Sequence, residues 1–188
     1  MNQIEKYLLF ALLFSAFAEG LLGPLYTIFV SEIGGDIFDI SWAWASYLIV
    51  SGILTIIIGK LSDKHNKHIF LIYGFILTII MTFSYLLVYE PWHLFFIQIG
   101  LGISSALIWP VWDTLYSKYQ DKNEEGEEWG LVEGGWNIAG GISLIISSMV
   151  VYSFGFSLVF IIMGLFQIIG LFMILLTIKD IKKSLNKN

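Results

Sequence analysis

Gly59-Lys60-Leu61-Ser62-Asp63-Lys64-His65-Asn66-Lys67-His68 is a basic, hydrophilic island set between two long apolar runs. It holds three of the chain's ten basic residues, all of which are lysines, so the side of a membrane on which it lies sets the topology of everything around it. The runs on either side decide the class. The chain has 188 residues, of which 57% are hydrophobic and 13% charged, whereas soluble domains carry about 25% charged residues. Crossing the roughly 30 Å hydrocarbon layer takes about 20 apolar residues in a helix. Runs of that length predict six spans, near residues 7–30, 42–59, 69–89, 92–116, 129–152 and 156–178. A closed barrel is excluded, because barrel strands alternate polar and apolar residues over about 10 positions and these runs are continuously apolar. The fold class expected is all-α: one six-helix transmembrane bundle occupying 1–188 as a single domain.

The first run contains Ala16-Phe17-Ala18, a small-residue pattern that resembles a signal cleavage site after a basic start. The apolar sequence continues to Val30, which makes it a span. Trp42, Trp44 and Tyr47 open the second span and read as an interfacial aromatic anchor.

The lysines agree with this layout. Lys6 precedes span one; Lys60, Lys64 and Lys67 follow span two; Lys118 and Lys122 follow span four; Lys179, Lys182, Lys183 and Lys187 follow span six. All would share one face, which places both termini in the cytoplasm and the chain in the cell membrane among lipids. With no cysteine and a net charge of -5, thiolate metal sites, disulfides and a basic nucleic-acid surface are excluded. His65 and His68 lack the further ligands a metal site needs, and no cofactor motif is present.

The island itself resembles the loop between helices two and three of the major facilitator superfamily, commonly Gly-x-Leu-Ala/Ser-Asp-Arg/Lys-x-Gly-Arg/Lys-Arg/Lys. Gly59, Leu61, Ser62, Asp63, Lys64 and Lys67 match that pattern. Asn66 stands at a usual glycine, a mild exchange because asparagine tolerates left-handed backbone. The resemblance implies a secondary transporter working by alternating access, with this loop acting as a gating latch between halves. Family members usually join two six-helix halves about an axis along the membrane normal, and this chain supplies one. Two copies in the same orientation would restore the full arrangement as a homodimer. A fragment, or the partner of a different half, is the alternative.

Acids within spans mark candidate sites, since a charge in hydrocarbon is costly. Glu19 lies about twelve residues into span one, roughly 18 Å from its start. Ser15, Glu19, Gly23 and Tyr26 share its helical face, with Gly20, Gly23 and Pro24 placed to loosen the helix. Span four carries a stripe of Gln98, Gly102, Ser105, Trp109, Trp112 or Asp113, and Tyr116, which reads as cavity lining. Asp113 serves either there or as an interfacial acid paired with loop lysines, and Pro110 is expected to bend the helix. Span five offers Glu133, Asn137, Gly140 and Ser147 on one face, with Ser143 at its edge, a set that suits either a site or close helix packing. Glu133 and Asp113 are expected at similar depth. The resemblance places helices one and four, hence Glu19 and the Trp109 stripe, around a central cavity.

No lysine, arginine or histidine falls within a span core. The acids must therefore be protonated, bind a cation or attract a cationic substrate. Proton coupling through Glu19 is the leading mechanism, with Trp109 adding cation–π attraction for an amine substrate. An intramembrane enzyme would need a base that no span core provides; the remaining alternative is a non-transporting scaffold or receptor. The arginine that drug–proton antiporters tend to carry in helix four is absent, as are their helix-five Gly-Pro pair and the sugar-porter signature after helix six, so no substrate class follows from the resemblance.

Overall fold

The computed structural model describes residues 1–185, all of them in helices or the turns that join them; Lys187 of the C-terminal lysine group lies outside the described residues. Helix α1 (Gln3–Leu22) runs through a 3₁₀ turn at Gly23–Leu25 into α2 (Tyr26–Glu32), and the three pieces form one span. The others are α3 (Ile37–Ser62), α4 (Lys67–Ser84) with a 3₁₀ end at Tyr85–Leu87, α5 (Pro91–Tyr119), α6 (Glu125–Phe154) and α7 (Phe156–Leu185). Six helices are thus long and apolar enough to cross a membrane. All but the third, which ends at Leu87 short of its predicted limit, extend past the end of the apolar run that marks them, because polar caps and charged turns continue the helix where no apolar residue is needed. Asp36 caps α3 by accepting from the amides of Phe38 and Asp39, and Asp39 returns a bond to the Asp36 amide.

Two packed groups dominate the contacts. α1 lies against α7 and α6, and α5 lies against α3 and α4, while α1 and α5 barely touch. α3 and α6, each leaning on one principal neighbour, are the least buried spans and carry exposed Ile49, Ile53, Ile56, Ile138 and Ile145. The α1–α6 crossing is close because Gly20 has no side chain: a Cβ there would meet the Gly140 Cα at 2.7 Å and run into the Ser143 hydroxyl. Ser147 seals the same seam by donating to the Leu21 carbonyl. Gly140, Ser143 and Ser147 of α6 therefore serve helix packing, as small residues do where lipid offers no hydrophobic drive between helices.

The buried core divides between the two ends of the bundle. One cluster joins Tyr26, Phe29, Tyr85, Leu94 and Phe160; the other joins Ile4, Leu71, Trp112, Tyr116 and Ile181. The lysine-bearing segments adjoin the second cluster, whose residues are their sequence neighbours. At this end Glu5 and Glu128 are each 1% exposed. Glu5 completes a capping box with Asn2, whose side chain accepts from the Glu5 amide at 3.0 Å and donates to the Tyr119 carbonyl at 2.9 Å. Glu128 accepts from the Asp121 amide at 3.1 Å, and the Met1 amino group lies 3.7 Å from it and 3.8 Å from Glu5.

In the 59–68 island, Ser62 donates to the Gly59 carbonyl at 2.9 Å, and Lys67 pairs with Asp63 at 3.6 Å one helical turn away. Asn66 departs from the expectation of tolerance for left-handed backbone. Its φ is -67°, and its side chain caps α4 by accepting from the His68 amide at 3.1 Å. Asparagine serves here through its carbonyl oxygen rather than its backbone freedom.

Candidate functional site

Where α1 and α5 part, a cavity of about 500 Å³ opens between them, with residues of α3, α4 and α7 completing its walls. Its α1 side is made by Ser15, Glu19, Gly23 and Tyr26, the four residues spaced on one helical face. The helix is loosened beside them. Gly23 takes φ 23° and its amide still donates to the Glu19 carbonyl, so α1 ends one turn after Glu19 and the chain resumes as α2. Irregular backbone at membrane depth is tolerated where it borders a cavity that re-satisfies its polar groups.

Glu19 is the only acid among the lining residues, none of which is basic. Its side chain opens onto the cavity. Among the described residues every ion pair involves other acids, namely Glu5, Glu128 and Asp63. Polar groups along the cavity wall are bonded to one another: Ser15 donates to Gln167 Oε1 at 3.2 Å, Gln98 donates to the Tyr85 hydroxyl at 3.2 Å, and Tyr47 donates to the Ser105 hydroxyl at 3.3 Å, with Ser51 behind the wall donating to Ser105 at 3.2 Å. Tyr26, only 7% exposed, keeps its hydroxyl without a partner among the described residues. The remaining walls are apolar, aliphatic side chains such as Leu101 and Ile108 alternating with the indoles of Trp44, Trp109 and Trp112. Such a cavity can hold a small amphiphile, offering a carboxyl group, several hydroxyls and amides, and indole faces.

The structure gathers Glu19, Tyr26, Gln98, Ser105 and Trp109 around this one space and leaves other candidates outside it. Gly102 presses on α3 instead, where a Cβ would stand 2.8 Å from the Tyr47 carbonyl. Tyr116 is fully buried, stacked on Trp112 at 4.9 Å. The stripe on span four is therefore only partly lining, because Gly102 packs against α3 and Tyr116 is buried in the core cluster that joins Ile4, Leu71 and Ile181. Asp113 and Glu133 lie together on a second, smaller cavity. Asn137 points away from both and donates to the Glu133 carbonyl at 2.9 Å. The pairing of Asp113 with a loop lysine is not formed among the described residues, and Lys118 stands over the Tyr119 ring at 5.6 Å. Pro110 does not divide α5, which continues through it as one helix.

Trp44 and Tyr47 correct another expectation. Both border the cavity, Tyr47 half-buried and Trp44 still 51% exposed, while Trp42 is 67% exposed and does not line it. Gln167, 2% exposed, is a lining residue that the span pattern did not single out. Its signal was available, as a lone amide in the otherwise apolar final span.

The family model of the Major Facilitator Superfamily matches residues 8–188. An uncharacterized MFS-type transporter of Methanocaldococcus jannaschii is 23% identical over 168 residues, covering 89% of this chain and 44% of the relative. Multidrug resistance protein MdtG of Dickeya zeae is 22% identical over 149 residues, 77% of this chain and 36% of the relative. The protein of that name in Salmonella typhimurium is 26% identical over 102 residues, 52% of this chain and 25% of the relative. The chain thus spans less than half the length of these relatives.

Proposed function

Since the chain belongs to the Major Facilitator Superfamily, we propose that it forms one six-helix half of a secondary transporter that works by alternating access and couples to protons through Glu19. The observation that carries this reading is a membrane-depth cavity whose single acid has no cation beside it. A carboxyl group so placed is stable when protonated or when a cationic guest is present. Loading and release of a proton as access alternates gives it a coupling role, and guest and proton then compete for the same group. Tyr26, Gln98 and Ser105 supply hydrogen bonds to the guest, and Trp109 supplies an aromatic face.

The reading is of a small-molecule substrate, cationic in character; two of the relatives carry names of multidrug resistance proteins. The lysine-bearing end is assigned to the cytoplasm, and with it both termini, in the cell membrane. The 59–68 loop acts as the gating latch. The second half is assigned to another copy of this chain, which needs no inversion because six spans return the chain to its starting side. A second reading takes the partner half from a different polypeptide or from a longer chain, and the coverage of under half of each relative favours it. A solubilised particle with the mass of two copies and intact transport supports the homodimer, and the mass of one copy with intact transport removes it.

The deciding experiment compares proton uptake into vesicles for the native protein and Glu19→Gln under an imposed gradient. Native flux that the variant loses is the expected result. Equal flux in the two, or none in either, overturns the coupling role of Glu19.

A further inference from the structure

The second cavity, of about 390 Å³, lies between α1, α5 and α6, and its chemistry differs from that of the first. Trp109, Trp112, Trp129 and Trp136 line it together with Asp113 and Glu133. Trp109 stands 5.3 Å from Trp136 and 6.4 Å from Trp112, in both cases with ring planes at 69°. The indoles are therefore set steeply to one another, as the walls of a cage rather than a stack. Trp112 is held in place: its indole N–H donates to the Leu8 carbonyl at 3.2 Å, and Tyr116 lies flat behind it. Trp129 meets Tyr116 edge-on at 5.4 Å. Both carboxylates are exposed, and neither joins an ion pair among the described residues.

Aromatic faces attract a cation through their quadrupoles, and two carboxylates add charge to that attraction. A metal ion is a poor match: no group of three or more histidine, aspartate or glutamate side chains suited to one occurs among the described residues, and hard cations take about six oxygen ligands. A neutral aromatic guest would leave both charges unanswered. An organic ammonium meets every feature, its charge facing the acids and its alkyl groups facing the indoles.

We propose that this cavity is a second binding site, for a small organic ammonium ion, separate from the central cavity and divided from it by Leu12, Trp109 and Trp112, which border both. The proposal rests on the packing of α1, α5 and α6 and is independent of proton coupling through Glu19. A cation held here leans on Trp109, so the central cavity feels its presence through a shared wall.

Equilibrium binding of radiolabelled benzyltrimethylammonium to the full chain in nanodiscs tests it, with neopentylbenzene, the uncharged carbon analogue, as competitor. The expected result is a component retained in Glu19→Gln, weakened at least tenfold in Asp113→Asn/Glu133→Gln and about tenfold in Trp136→Leu, and not displaced by neopentylbenzene. Circular dichroism and melting confirm that each variant folds; should the double variant not fold, Trp136→Leu carries the test alone. Affinity unchanged in the folded variants, displacement by the neutral analogue, or loss of all binding in Glu19→Gln overturns the proposal. Binding that survives Glu19→Gln and fails in the double variant sustains it even where the flux assay shows no role for Glu19.

Discussion

At the end of the bundle beside the N-terminus, Glu128 is 1% exposed and accepts an amide hydrogen bond from Asp121, with an amino group 3.7 Å away. In the central cavity, Glu19 opens onto free space and has no such ion pair among the described residues. Both are glutamates of membrane-length helices, yet the first ties the connector between α5 and α6 to the start of α1, one carboxylate oxygen accepting from the Asp121 amide and the other lying near the Met1 amino group. A buried acid with its partners in place is a joint, whereas an acid left facing a cavity is available to a guest or a proton. The distinction lies in position and in what the neighbours supply: Glu128 stands in the first turn of α6, and Glu19 lies well inside the first span.

Substitutions at the two positions should separate these roles. Glu128→Ala removes the acceptor of the Asp121 amide and leaves a space beside buried Glu5, so it should destabilise the fold by about 1–2 kcal/mol. Glu19→Gln should leave the melting temperature within a degree or two of native while abolishing coupled flux, because no partner is orphaned. Melting curves in one detergent give the comparison, and an equal loss of stability in both would erase it. Ser15→Ala tests the cavity wall beside Glu19: it takes the hydroxyl donor from buried Gln167 and should cost about 1 kcal/mol. An unchanged melting curve would mean that water replaces the hydroxyl. Lys67→Ala, whose partner Asp63 is 74% exposed, should also cost little, under about 1 kcal/mol. At that exposed acid the interest is kinetic. Asp63→Asn should alter transport rates with substrate binding largely kept, and unchanged kinetics would remove the latch role.

Six spans and the family resemblance of the 59–68 island were legible because each depends on local sequence. An apolar run of the right length must cross a membrane, and a short loop keeps its motif whatever packs around it. The face shared by Ser15, Glu19, Gly23 and Tyr26 was legible for a similar reason, as helical spacing alone puts those residues together. Gly102 and Tyr116 obey the same spacing on α5 and do not line the cavity, because their neighbours on other helices cover them. Trp44 and Tyr47 read as a membrane belt from their place at the start of a span, and only the approach of α3 to α5 brings them to the edge of a cavity. The burial of Glu5 and Glu128 was invisible, since it arises from residues more than a hundred positions apart meeting at one end of the bundle.

The sequence by itself thus determined the number of spans, the residues of the island and the helical face on which Glu19 stands, because periodicity and length act within a single helix. Only the tertiary structure decided which acids are partnered, which tryptophans surround a space and which merely pack, and that Asp113 and Glu133 share a cavity apart from Glu19. Those outcomes depend on which helices lie side by side, and in a membrane that choice is made by close packing of small residues, as where Gly20 meets Gly140, rather than by any pattern along one helix.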